Sequence, residues 1–287
     1  MGGEAPQDGV DAVLAGVVRH CTASAGGSFL PGPVRARLFA AAVASFRHEG
    51  WAAPQAPPGG EAALDTLLRG VAHRIIRRQF SLDARWYAET KQALARCLSL
   101  PDDDAQLEGE AALAEVFLVV ALAACVYTRW LALEGPAAAT ERCKGALSGA
   151  PDFVSTEQWA RLRGLSPRRL AAANAPLFAP YGTGDNAQKG GNRMHALQAP
   201  VPGDLLPPGV QQYFGAVNGM PGGAKAFAMR ACTLAPGDME AFLQAMEALY
   251  MPISKMLSFS KLPGRELSRS ELECVADATA ATLACSF

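Results

Sequence analysis

The chain reads as all-α, a single helical-bundle domain over residues 1–287 with one long Gly/Pro-rich irregular segment at 176–208. Three observations predict this. Apolar residues recur at helical spacing in almost every regular stretch, no stretch sustains strand-like alternation, and the breaks fall at Pro and Gly. Half of the residues are hydrophobic and 18% are charged, which provides ample core for this length and excludes a disordered chain.

Each element has its own signal. Val10, Val13, Leu14, Val17 and Val18 lie on one face of a first helix. Pro33 opens a second helix through Phe46, at a position where a proline's missing N–H would be unpaired anyway. A Pro/Gly-rich break at 54–60 precedes a stretch from Glu61 to Phe80. Its stripe is Leu64, Leu67, Leu68, Val71, Ile75 and Ile76, with Arg74, Arg77 and Arg78 mostly off it; Arg77 and Arg78 read as a solvated face. Arg85 to Leu98 forms the next helix, which Pro101-Asp102-Asp103-Asp104 breaks. Glu108 to Leu133 reads as a buried central helix, because its apolar run from Val116 to Thr128 falls short of the roughly 20 residues that cross a bilayer. Capping signals at Ser155/Gln158 and Ser166-Pro167 start further turns. Asp238 reads as the cap of an amphipathic helix carrying Met239, Phe242, Leu243, Met246, Leu249 and Tyr250. Ser268 and Glu271 form an S-x-x-E box that opens the last helix.

Composition also narrows function. Lys and Arg number 26 against 27 Asp and Glu, which argues against nucleic acid as a partner. The seven cysteines are scattered and never form a C-x-x-C pair, so reduced core thiols are expected rather than disulfides or zinc. The start, Met1-Gly2-Gly3-Glu4-Ala5-Pro6, lacks the basic-then-apolar pattern of a signal peptide. The expectation is a cytoplasmic protein without membrane contact, with homo-oligomerisation left open.

Few residues carry chemistry. The stretch from Tyr181 to His195 holds Gly182, Gly184, Gly190 and Gly191, with Asn186, Asn192 and Arg193 as polar anchors. Such a stretch is either a ligand-approach segment or a surface loop. The Gly182-Thr183-Gly184 run is not a P-loop, since no Gly-Lys-Ser/Thr comes after it. His20 and His48 read as helix-terminal residues facing the local dipole. His73 sits at the edge of an apolar stripe, where a hydrogen-bonded boundary histidine is the plain reading. No two histidines have metal-ligand spacing, which disfavours a multi-histidine site. Haem differs in needing a single axial histidine with a distal group, such as His195 with His73.

In size, helical pattern and a single histidine two-thirds along, His195, the chain resembles the tryptophan/indoleamine dioxygenase superfamily of histidine-ligated haem enzymes. Within it, the likeness is to actinobacterial haem-dependent tyrosine hydroxylases. Phe242-Leu243-Gln244-Ala245-Met246 and Tyr250-Met251-Pro252 resemble a late indoleamine dioxygenase segment. The resemblance implies a tryptophan-dioxygenase-like fold and non-covalent haem b held through its iron by His195. It further implies hydrogen peroxide as oxidant, proton transfer by His73, and ortho-hydroxylation of L-tyrosine or a related phenol to a catechol. Asn186, Asn192 and Arg193 would then bind the substrate, and the helix at Val116–Val126 would line the haem. Two departures stand out: no histidine comes after His195, and Ala199 occupies the place of the cysteine in covalent variants. The alternative is a non-catalytic helical binding or scaffold protein that uses 181–195 as its partner contact.

Overall fold

Helices account for nearly all of the computed structural model's described residues, which are 7–23, 29–47, 60–78, 81–98, 105–148, 209–213, 232, 235–252 and 266–282. Among these the longer helices are α1 (Gln7–Thr22), α2 (Gly32–Phe46), α3 (Gly60–Arg77), α4 (Ala84–Cys97), α5 (Ala105–Leu147), α6 (Pro236–Leu249) and α7 (Arg269–Thr282), and residues 209–213 are also helical. The fold is all-α, as the periodicity predicts.

The axis of the bundle is α5, against which α1, α2, α3, α4 and α6 all pack. From Ala111 to Val116 every side chain is fully buried, so no face of this stretch remains for solvent. Short side chains let neighbouring helices come close. A Cβ built on Gly109 would lie 2.9 Å from the backbone oxygen of Lys91, where α4 crosses α5. By length and composition Ala111–Leu147 could cross a membrane, with a window of mean hydropathy 2.2, but 72% of that window is buried within the protein. It therefore reads as a core helix of this bundle.

The central helix also runs past the expected end at Leu133. Gly135 adopts φ 79°, ψ 171°, and the helical path resumes at Pro136. Glycine takes this conformation without the Cβ penalty, and proline suits the first turn of the resumed helix. The Gly-Pro pair is thus a kink rather than a stop.

Side-chain contacts fix the helix directions. Arg37 reaches Asp65 (Nε–Oδ1 3.4 Å) near the starts of α2 and α3, while Arg77 donates to the carbonyls of Ser45 (2.6 Å) and Phe46 near their ends. These two helices therefore run the same way. The expectation that Arg77 lies on a solvated face is corrected here: it is half-buried and satisfies carbonyls that the end of α2 leaves unpaired. Arg74 is likewise occupied, bonded to Ser81 (2.8 Å) and stacked 5.7 Å over the Trp86 ring, whereas Arg78 is exposed as expected. Asp83 caps α4 through Trp86 N (2.7 Å), and Trp86 meets Phe117 of α5 edge-on at 6.2 Å. The box opening α7 forms as expected: Ser268 N donates to Glu271 Oε2 (2.7 Å), and Glu271 N donates to Ser268 Oγ (3.3 Å).

One capping expectation fails. Pro236 occupies the first turn of α6 and Ala235 is its N-cap, so Asp238 lies inside the helix. Its carboxylate turns inward instead of capping.

Candidate functional site

The inward turn of Asp238 leads to the one cluster of fully buried charge among the described residues. At its centre is Arg35, on the second turn of α2 and wholly inaccessible to solvent. Pro31, Gly32 and Pro33 set the entry into α2, and Arg35 N closes its first turn on Pro31 O at 3.0 Å. The guanidinium then points into the bundle between α1, α5 and α6.

Both terminal nitrogens of the guanidinium meet carboxylates. Nη1 donates to Glu115 Oε1 (2.5 Å) and Asp238 Oδ2 (3.0 Å), and Nη2 donates to Asp238 Oδ1 (2.5 Å) and to His20 O (3.4 Å). The fork geometry of arginine permits this two-sided pairing, which a lysine could not reproduce. The second oxygen of Glu115 accepts from Phe29 N (2.7 Å) and Leu30 N (3.3 Å), the amides just before α2. Glu115 thus replaces the water those donors would otherwise need. On the other side His20 Nε2 lies 2.8 Å from Asp238 Oδ1. A Cβ at Gly237 would sit 3.8 Å from His20 Cε1, which measures how closely the end of α1 meets the start of α6.

The electrostatics arise from burial. Desolvation pushes the Glu115 carboxyl up to about 7, although Arg35 and the Phe29 amide pull the other way and Asp238 adds to the rise. Burial acts on Asp238 too, but the adjacent guanidinium and the His20 hydrogen bond outweigh it and hold this carboxyl below its ordinary range. Position helps, because Asp238 lies in the first turn of α6, where the helix dipole favours an anion. Desolvation opposes the charge on Arg35, yet its two carboxylates keep it fully protonated. Cys21, beside the cluster, is pushed up to about 12 by burial, as is Cys232; Cys125 and Cys143 reach about 11 for the same reason. These thiols stay protonated and poorly nucleophilic. The six described cysteines are free, as expected.

The cluster is nearly closed. Its carboxylate oxygens all have protein donors, and only His20, with its side chain 34% exposed, reaches solvent. Mechanically it joins four helices through one guanidinium. Among the described residues no group of three His, Cys, Asp or Glu side chains could hold a metal ion.

The residues expected from sequence are placed differently. His73 is half-buried on α3, one turn before Arg77. His195, Asn186, Asn192 and Arg193 lie outside the described residues, as do His48, Ser155, Gln158 and Ser166. His20 does end a helix, as expected, but its ring is engaged by Asp238. The sequence reading missed Arg35, Glu115 and Asp238 as a group. A usable signal existed for two of them. Arg35 stands among Val34, Leu38 and Phe39, and Glu115 interrupts an otherwise apolar run from Ala111 to Val120. An ionic residue at a core position needs a buried partner of opposite sign.

No family model, curated protein or solved structure matches the chain.

Proposed function

We propose that the chain is a non-catalytic helical binding or scaffold protein, whose bundle presents the 176–208 segment with 181–195 as the contact. One observation carries this reading. The Glu115–Arg35–Asp238 cluster fastens α5 and α6, the two helices that bracket that segment, to each other and to α1 and α2. Asp238 sits in the first turn of α6. A frame so anchored can carry a Gly-rich stretch.

Haem-dependent tyrosine hydroxylation is the second reading, resting on the resemblance and on His195. Within the expected haem wall at Val116–Val126, Val116, Val119, Val120, Leu122, Ala123 and Val126 are fully buried, within the same core as Leu14, Leu38 and Leu94. The half-buried face of Phe117, Ala121, Ala124 and Cys125 is the part of that helix left to line a haem.

A pair of measurements separates the readings. Protein expressed with ample haem and purified is expected to be colourless. Deleting 182–191 is expected to leave helical circular dichroism and the thermal midpoint unchanged. A Soret band at roughly 400 nm that vanishes in His195→Ala would replace the scaffold reading by the hydroxylase. A deletion variant that loses its helices would show that the stretch belongs to the folded core, and would end the display reading.

A further inference from the structure

The buried cluster does not balance its own charge. Arg35 brings one positive charge, whereas Glu115 and Asp238 bring two negative ones. A surplus negative charge at this depth is costly unless it is paired. One group at the inner end can take up the missing proton: Glu115, wholly buried and 2.5 Å from Arg35.

We propose that the docking of α6 is latched by one proton held on Glu115, across Arg35 from Asp238, so that α6 opens more readily as pH rises. The groups facing Asp238 and Glu115 among the described residues are His20 and Cys21 from α1 and Arg35 from α2. Cys21 remains a neutral thiol and adds no charge. Opening α6 removes Asp238 from the cluster and leaves Arg35 and Glu115 as a neutral pair that requires no proton. The docked state therefore binds one proton more than the open state. By linkage, the docked state is favoured at low pH and loses ground as pH climbs. The direction agrees with the upward push on Glu115. At the acid extreme the latch fails differently, since protonating Asp238 removes its charge from both Arg35 and His20. Gly209 N donates to Glu240 Oε1 of α6 (3.3 Å), so the latch also bears on how firmly the chain just after the 176–208 segment is held.

Hydrogen exchange on the full chain tests this, read by mass spectrometry between about pH 5 and 8, the range through which the raised Glu115 carboxyl loses its proton. After correction for the intrinsic rate, protection of α6 is expected to fall by up to about tenfold per pH unit, the limit for one proton. Protection of α4, which takes no part in the cluster, is expected to stay flat. Glu115→Gln removes one negative charge while leaving the Asp238 contacts in place, and should flatten the α6 profile. Asp238→Asn removes the other and serves if the first variant does not fold. A flat wild-type profile, or a folded variant that keeps the full slope, overturns the proposal.

Discussion

Arg35 illustrates how little latitude a buried charge leaves. Replacing it with Met keeps roughly the volume but strands Glu115 and Asp238 without their cation. Breaking a buried pair in this way costs about 3–5 kcal/mol, so Arg35→Met is expected to lower the urea midpoint sharply at neutral pH. Arg35→Lys should rescue only part of the loss, since one ammonium cannot span both carboxylates. Titration of the two carboxyls predicts a stability profile with two limbs. Glu115 is raised from 4.5 to about 7 in the folded chain, so its contribution is complete below its unfolded value and is lost as pH rises from about 4.5 to about 7. The loss is on the order of 3 kcal/mol. Asp238 is lowered, so its contribution is present above its ordinary value of 3.8 and disappears as pH falls. Urea midpoints measured across pH should peak between these limbs, and Glu115→Gln should remove the upper one.

At the scale of the helix, two glycines respond oppositely to what helix propensity alone suggests. Gly→Ala inside a helix ordinarily stabilises by up to about 1 kcal/mol. At Gly109 the added Cβ would meet the Lys91 carbonyl oxygen at 2.9 Å, a backbone atom that cannot swing aside. Overpacking of this kind costs about 1–3 kcal/mol, so Gly109→Ala is expected to destabilise. Gly135 has open space around its Cβ position but φ of 79°. There the penalty is conformational, about 1–3 kcal/mol, and Gly135→Ala should lower the thermal midpoint although nothing clashes. Both are read by calorimetry against wild type. The same scale shows what was legible in the sequence. Periodicity located α1 to α6, because burying one stripe per helix is a local requirement that each segment states for itself. Boundaries were less legible. The central helix is expected to end at Leu133 but continues through the positive-φ kink at Gly135, and Asp238 reads as a cap until Pro236 and Ala235 take that place.

For the molecule as a whole, the buried cluster was illegible because its members are remote in the chain. His20 and Asp238 stand 218 residues apart, and Arg35 and Glu115 stand 80 apart. No short window on the sequence contains either pair, so only the topology brings them together. The stretch from Tyr181 to His195 was conspicuous for the opposite reason, since its glycines and polar anchors crowd into one short run. A residue type out of place in a core helix, as with Glu115, is a fainter signal than a run of glycines. Glu115 marks the charge cluster, whereas the glycine run lies outside the described residues.

The separation of Arg35 from Asp238, 203 residues, has a consequence for biosynthesis. At about 5–20 residues per second, a ribosome releases Asp238 roughly 10–40 s after Arg35. During that interval Arg35 and Glu115 can meet as a neutral couple, and the nascent N-terminal helices can assemble around α5 without a surplus charge. Arrival of α6 then adds an anion to a site that is already neutral. Docking of α6 is thus the step that takes up a proton, and its completion is coupled to the surrounding pH.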